Sequence, residues 1–560
     1  MIEDLGDVSS DAKDTDTMTP LGVATAAHPK ADRIKKDVDT WLDEVSYGTL
    51  NSGHYVPTAF ALKFMNFIKL VNGGTGEENL TPVVHLAMLD KIQGPKKRIA
   101  NLCARGMAKT TLMFEYLVLY VAVFGEIDGF GKVEGIIYVS DSMDNGVKSA
   151  RKNIEFRYET SDFLQEWLPR SGVSFTDGYL EFKSKHGSRL GVKMFGAKTG
   201  LRGTRIFGKR PVLAVLDDLV SDDDAKSKVA MAAIKDTVYK GVDYAIHPER
   251  RKIVFNGTPF NKNDILYEAV ESGAWDVNVW PICEQFPCSK EEFRGAWEDR
   301  FTYKFVSEMY EDSVLSGKLS AFNQEMMLRI TSEEERLVQD SEIRWYSRQS
   351  LLKNKGRFNF YITTDFATSD RQTADFSVIS VWAYNANGDW FWVDGICERQ
   401  TMDKSVDSLF RLVSEYRPQQ VGVEITGQQQ AFIAWLQVEM MNRNIWFNFA
   451  LEKGKPGIRP VTNKLSRFNL VVPMFKAGKM YFPEEMKTSK IMGEFVSEIS
   501  LATINGLKGK DDCLDTISML MHLVPWKPSD DIPLSQKEGE MWELGEKEDE
   551  GARSMSSYIV

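Results

Sequence analysis

Residues 97–124 read KRIANLCARGMAKTTLMFEYLVLYVAVF. The apolar run up to Ala104 suits a buried strand, and the run from Thr110 onward suits a buried helix. Between them lies ARGMAK. A strand, a tight loop and a helix start carrying a lysine and a hydroxyl are what a phosphate cradle needs. Loop N–H groups converge on the anion, the helix N-terminus lies behind them, and the hydroxyl can hold Mg²⁺. The usual spacing is a glycine, four residues, then Gly-Lys-Ser/Thr. Here Cys103 and Ala108 hold the two glycine positions, Gly106 is displaced, and Lys109 and Thr110 are kept. Alanine is the smallest substitute for glycine, but it is strained wherever φ is positive. Taken alone, a lysine at a helix start is more often structural.

The surrounding pattern shifts that balance. VEGIIYVSDS, PVLAVLDDLV and RKIVFNGTPF are short β-rich runs ending in polar residues, separated by helical stretches. This alternation predicts a mostly parallel sheet with ligands beyond the carboxyl ends of its strands. VLAVLDD delivers Asp217 and Asp218 at such an end. That suits one aspartate for Mg²⁺ and a neighbouring carboxylate that orients an attacking water. Loop and acid pair together favour nucleotide binding.

After TSEEERLVQDSEIRWY (331–346), which reads as a linker, a second set of strands begins. RFNFYITTDFA, FSVISVWAYN and WFWVDGICER follow one another, the last two joined by the hairpin turn ANGD. A helix, the strand QQVGVEIT and further helices complete the set. Asp365 ends the first strand, and Glu424 lies among apolar neighbours, where an unpaired charge is costly. Asp512 and Asp515, three apart in KDDCLDTISMLMHL, share one helix face. Acids from two strands and a helix can converge on a pair of hard cations, Mg²⁺ or Mn²⁺, about 4 Å apart. Between them, EKGKPGIRPVTNKLSRFN carries Lys453, Lys455, Arg459, Lys464 and Arg467. Such a stretch would hold a polyanion through its phosphates.

Bulk composition bounds the rest. The 560 residues are 43% apolar and 27% charged, enough for more than one core. A net charge of −11 argues against whole-surface nucleic-acid binding but leaves room for a local basic groove. The five cysteines show no zinc spacing and suit a reducing compartment. No apolar run reaches bilayer length, and the acidic start lacks a secretion signal. The expected division is an acidic tail (1–40), a first domain (41–330), the linker (331–346), a second domain (347–526) and an acidic tail (527–560).

In this order, the deviant loop, the Asp-Asp strand end, the Gly-Thr-Pro turn and the acid set resemble the large terminase subunit of tailed bacteriophages. The resemblance runs from about residue 50 to 525. It implies an α/β chain, with a P-loop ATPase domain of the additional-strand type followed by an RNase H-like nuclease domain. It also implies ATP-driven translocation of double-stranded DNA into a procapsid, and cutting of concatemeric DNA. Arg105-Gly106-Met107-Ala108-Lys109-Thr110, continued by Thr111, matches the family's loop except at Ala108. Asp217 fits the magnesium ligand, Asp218 the catalytic acid, and Gly257-Thr258-Pro259 the coupling motif. Arg202, Gly203 and Arg205 resemble a basic loop, and Phe322–Glu325 a closing Phe-x-Gln-Glu element. Asp365, Glu424, Asp512 and Asp515 fit the nuclease metal ligands, with Asp511 a third candidate in the helix. Arg105 in cis, or an arginine from a neighbouring subunit, would offset transition-state charge. No residue is assigned to adenine. The resemblance further implies a portal protein and a small terminase subunit as partners, a pentameric ring, no membrane, and residence in the host cytoplasm with a transient stay on the portal rather than in the mature virion. A helicase–nuclease fusion and a non-enzymatic portal-binding scaffold are the alternatives.

Overall fold

The computed structural model describes residues 36–73, 79–331, 335–367, 376–425, 430–459, 462–508 and 510–528. The expected tails lie mostly outside them. Residues 36–40 do not: Asp37 caps helix α1 (Val38–Asp43), whose Val38 and Leu42 are buried. So short a helix shows too few apolar repeats to be read from sequence.

The first body is built on an eight-stranded sheet: β1 (Arg98–Cys103), β2 (Gly135–Ser140), β3 (Val173–Phe175), β4 (Tyr179–Lys183), β5 (Arg189–Gly196), β6 (Leu213–Asp217), β7 (Lys252–Gly257) and β8 (Asp276–Trp280). The spatial order is β8-β1-β7-β6-β2-β5-β4-β3. The strands from β8 to β5 run parallel, while β4 and β3 turn back antiparallel at one edge. The parallel strands read as continuous apolar runs because both faces are covered. Helix α2 (Leu117–Phe124), entered through a wide helical turn at Thr111–Tyr116, covers one face. Because β7 lies between β1 and β6, the lysine loop, the Gly257–Pro259 turn and the Asp217-Asp218 pair come out side by side on one edge.

The second body has six strands: β9 (Arg344–Tyr346), β10 (Asn359–Asp365), β11 (Ser377–Tyr384), β12 (Trp390–Glu398), β13 (Gln420–Val423) and β14 (Met480–Pro483). Their order is β9-β14-β12-β11-β10-β13. β10, β11 and β12 form an antiparallel meander, with β13 parallel to β10 and β14 parallel to β12. The stretch expected to be linker therefore ends inside this sheet, since β9 pairs with β14. A three-residue edge strand is too brief to show alternation.

Strand alternation sorts the second sheet's side chains. Ile362, Val421 and Val423 face α4 (Met402–Tyr416) and α5 (Gln430–Arg443). Tyr361, Trp382 and Trp392 face α6 (Lys464–Lys476), α7 (Lys490–Leu501) and α8 (Asp512–Ser518). Asp365 and Glu424 fall in register with this second face. The two bodies share one apolar cluster, with Phe286, Tyr310 and Phe322 of the first joined to Met492 and Phe495 of the second.

Trp382 is fully buried, and its indole N–H donates to Thr363 Oγ1 at 3.0 Å. Trp382→Ala should cost about 3–5 kcal/mol. Urea unfolding of the purified chain tests this, and a loss below about 1 kcal/mol would contradict the packing.

Candidate functional site

The lysine loop is fixed at its base by backbone bonds. Ala104 N–H donates to Trp280 O and Arg105 N–H to Glu325 O, both at 2.9 Å. Glu325 ends helix α3 (Leu319–Glu325), so the sequence element expected to close this domain touches the loop directly. His85 Nε2 donates to Met107 O at 2.9 Å. Burial holds that imidazole down at about 4, against the Met107 carbonyl's opposite pull. Gly106 has φ +82° and Ala108 φ +53°, so the positive φ that sequence reasoning flagged at position 108 is present. At Gly106 a Cβ would also lie 3.0 Å from the Phe301 ring, which would have to give way.

Lys109 is buried, with Nζ 3.2 Å from Asp218 Oδ2 and 3.2 Å from Thr258 Oγ1. Thr258 in turn donates its hydroxyl to Cys103 O (2.7 Å) and its N–H to Asp218 Oδ1 (3.2 Å). Thr110 Oγ1 donates to Asp217 Oδ2 at 2.6 Å, and Tyr138 OH to the same oxygen at 3.2 Å. Asp217 Oδ1 is buried and has no hydrogen-bond partner among the described residues. Burial, then the neighbouring Asp218, pushes the Asp217 carboxyl up to about 7. Burial alone would lower Lys109, but Asp218 and Asp217 outweigh it and raise it. Gly257 is closely approached: a Cβ there would sit 2.9 Å from the end of the Leu266 side chain, which would have to shift. Pro259 is buried beside it, and Thr111 is half-buried at the start of the wide helical turn. Arg105 is the outlier: its side chain is 71% exposed and 3.4 Å from Glu325.

Sequence reading passed over Tyr138, His85 and a row of asparagines. Asn278, Asn101 and Asn256 are in register on β8, β1 and β7, and Asp217 follows on β6. Asn278 Nδ2 donates to Asn101 Oδ1 at 2.7 Å, and Asn101 Nδ2 to Asn256 Oδ1 at 2.8 Å. The signal was there: each asparagine interrupts an otherwise apolar strand, where an unpaired amide would be costly.

In the second body, Asp365 and Glu424 meet the acids of α8. Burial raises the Asp365 carboxyl well above the usual carboxylate range, and Glu424, Asp515 and Asp512 add to the rise. Two cations run between the acids. Arg467 binds Glu424 Oε2 through Nη1 (3.1 Å) and Asp515 Oδ1 through Nη2 (2.9 Å). Lys464 Nζ lies 2.9 Å from Asp515 Oδ2 and 2.6 Å from Asp511 Oδ1. Asp512 Oδ2 accepts the Phe376 N–H at 3.1 Å. As these side chains stand, no three acidic, thiol or imidazole groups among the described residues form a ready coordination cluster. The oxygen-only donor set nevertheless suits a hard cation.

The expected basic surface divides. Lys453 and Lys455 are exposed on a small hairpin, Leu451–Glu452 against Lys455–Pro456. The hairpin's return strand is joined to the Glu424 segment through Ile458 N to Val423 O and Ile425 N to Ile458 O, both 2.8 Å. Arg459 is half-buried, its N–H on Glu452 Oε2 at 2.5 Å, and Lys464 keeps 45% of its side chain exposed. Arg467 is only 5% exposed and belongs to the acid cluster rather than to the surface.

The sequence matches no established family profile and no curated protein. Solved structures with a partial likeness to this chain include the human cytomegalovirus terminase nuclease domain (14% identity, 34% of this chain and 95% of that one, TM-score 0.25). The large terminase nuclease from thermophilic phage G20c with bound magnesium is another (17%, 29% and 79%, 0.20). A third is the Phi-28 gp11 DNA packaging motor (9%, 73% and 96%, 0.25). At these values the likeness carries no weight for function, which rests on the residues themselves.

The left-handed backbone at Ala108 makes a testable difference. A side chain there costs about 1–2 kcal/mol, and glycine returns about 0.4–1 kcal/mol of unfolded-state entropy. Ala108→Gly should therefore raise the chain's stability by roughly 0.5–1 kcal/mol, read as a small upward shift in thermal unfolding. A downward shift would mean that the loop is not left-handed at this position.

Proposed function

We propose that this chain is a DNA-packaging terminase large subunit, with an ATPase of the P-loop type in the first body and an RNase H-like, two-metal endonuclease in the second. One observation carries the ATPase reading. At three adjacent strand ends, Lys109, Asp218 and Thr258 form one hydrogen-bonded and ion-paired set, and Thr110 and Asp217 form a second one beside it. The unpartnered, buried Asp217 Oδ1 fits a cation ligand.

In this reading Lys109 and the loop amides hold the phosphates of ATP, and Thr110 and Asp217 hold Mg²⁺. Bound Mg²⁺ supplies neutralisation of phosphate charge. Lys109 now spans Asp218 and Thr258. Once it turns to a phosphate, Asp218 is free to orient water, and Thr258 loses a partner on the Gly257–Pro259 turn. Arg105, exposed beside the loop, is the cis candidate for charge compensation.

The nuclease reading is supported by the acid cluster. Asp365, Glu424, Asp512 and Asp515 would hold two Mg²⁺ or Mn²⁺, which supply stabilisation of the attacking and leaving oxygens of a phosphodiester. Arg467 and Lys464 balance the acids' charge in their present arrangement, and Lys464, partly exposed, can turn towards a phosphate. Lys453, Lys455 and Arg459, on the hairpin beside Glu424, would track the DNA backbone. Double-stranded DNA, a portal protein, a small terminase subunit and a ring of like subunits, transiently on a procapsid portal in the host cytoplasm, complete the proposal. Among the described residues no helix is long and apolar enough to cross a membrane.

Two substitutions test the division of labour. Lys109→Ala should abolish ATP turnover, more than about 100-fold, and leave plasmid nicking with Mn²⁺ in place. Asp365→Ala should do the reverse. Equal loss of both activities in either folded variant would refute two separate sites.

A further inference from the structure

Helix α8, which carries Asp512 and Asp515, begins without a cap of its own. Its first N–H groups have no partner inside the helix, and a residue just ahead of it normally accepts from them. Asp511 stands at that place and makes no such bond. Its carboxylate is taken up by Lys464 at 2.6 Å, and Asp512 Oδ2 accepts from Phe376. The acceptor comes instead from another helix. Glu498 Oε2, on α7, accepts the N–H of Cys513 at 2.9 Å and of Leu514 at 3.1 Å. Glu498 is 4% exposed. Its other oxygen has no hydrogen-bond partner among the described residues. A carboxyl group at this depth is costly unless donors meet it.

α7 is itself held by the first body. Tyr310 OH donates to Gly493 O at 2.7 Å, and Asn323 Nδ2 to Ser500 Oγ at 3.2 Å. Glu498 is thus fixed from one side while it grips the start of α8 on the other. The two N–H groups that it holds belong to the residues immediately after Asp512 and immediately before Asp515. Any rotation or fraying of the first turn of α8 would move both acids relative to Asp365 and Glu424, which sit on the sheet.

We propose that Glu498 is a positioning residue of the nuclease site: as a cap supplied by α7, it sets the rotation and depth of the helix that presents Asp512 and Asp515. The inference rests on the nuclease reading above. Glu498 touches neither metal nor DNA in this account and acts only through the backbone of α8. What matters is an acceptor oxygen at the end of a side chain of this length, so Gln serves and Asp does not.

The full-length chain tests this through Glu498→Ala, Glu498→Asp and Glu498→Gln. The readouts are Mn²⁺ binding by calorimetry, the Mn²⁺ dependence of plasmid nicking, and ATP turnover as a check that the first body is intact. Loss of a residue supporting metal ligands typically weakens metal binding about 10–100-fold. Glu498→Ala and Glu498→Asp should therefore need about 10-fold more Mn²⁺ for half-saturation in both assays, with ATP turnover kept. Glu498→Gln should stay within about 3-fold of the parent, since its amide oxygen can still accept both bonds. If Glu498→Ala does not fold, the Asp and Gln pair decides alone. The proposal is overturned if Glu498→Asp matches the parent, or if Glu498→Gln is as impaired as Glu498→Asp. A parent chain that neither binds Mn²⁺ nor nicks DNA overturns the nuclease reading itself, and this inference with it.

Discussion

A carboxylate taken out of water must be met by a cation or by hydrogen-bond donors, and this requirement organises both ends of the molecule. Asp217 ends a strand whose other residues are wholly apolar, and Asp218 follows it with its side chain 46% exposed. Lys109, Thr110, Tyr138 and the Thr258 amide are what meet them. In the second body Arg467 and Lys464 do the same for Glu424 and Asp515. Breaking one partner of such a pair leaves an uncompensated charge, which costs far more than the intact pair contributes. Each cluster is therefore intolerant of partial loss.

The two clusters differ in how their cations are held. Lys109 is buried, with its Nζ between Asp218 and Thr258 of the Gly257–Pro259 turn. Lys464 is nearly half exposed and spans two aspartates at a helix start. Arg467 is buried and uses both terminal nitrogens, a geometry that a lysine could not reproduce. The second site thus has one fixed cation and one movable one.

Much of this was legible in the sequence because parallel strands buried on both faces announce themselves as apolar runs with polar tips. β1, β2, β6 and β7 were read that way, as was the meander β10–β12. The loop was legible for the opposite reason. Lys109 and Thr110 keep their spacing after a strand, even though Ala108 takes a backbone angle that glycine would adopt more easily. The antiparallel edge formed by β3 and β4 was not read, nor were β5, β8, β9 and β14, the last lying where only helices were expected; β3 and β9, three residues each, carry too few alternations to separate from loop. Arg467 was misjudged for a different reason. Within a basic stretch, sequence does not say which residue turns inward, and here Arg467 is the one buried against Glu424 and Asp515.

Glu498 was invisible for a more general reason. Its role depends on which two helices touch, and nothing local to α7 distinguishes a buried capping glutamate from a solvated one. Asp512, by contrast, was read as a metal ligand with Asp511 a third candidate, and both also stand where a helix start favours acids. The structure reverses these parts: the acids in the first turn face Lys464 and Phe376, and the helix start is satisfied from outside. That exchange follows from charge. A helix whose own first-turn acids are drawn to neighbouring donors and cations needs another acceptor for its N–H groups, and a neighbouring helix fixed to the first body is well placed to supply one. The geometry of the acid cluster is then set partly by α7, and through Tyr310 and Asn323 by the body that carries the lysine loop.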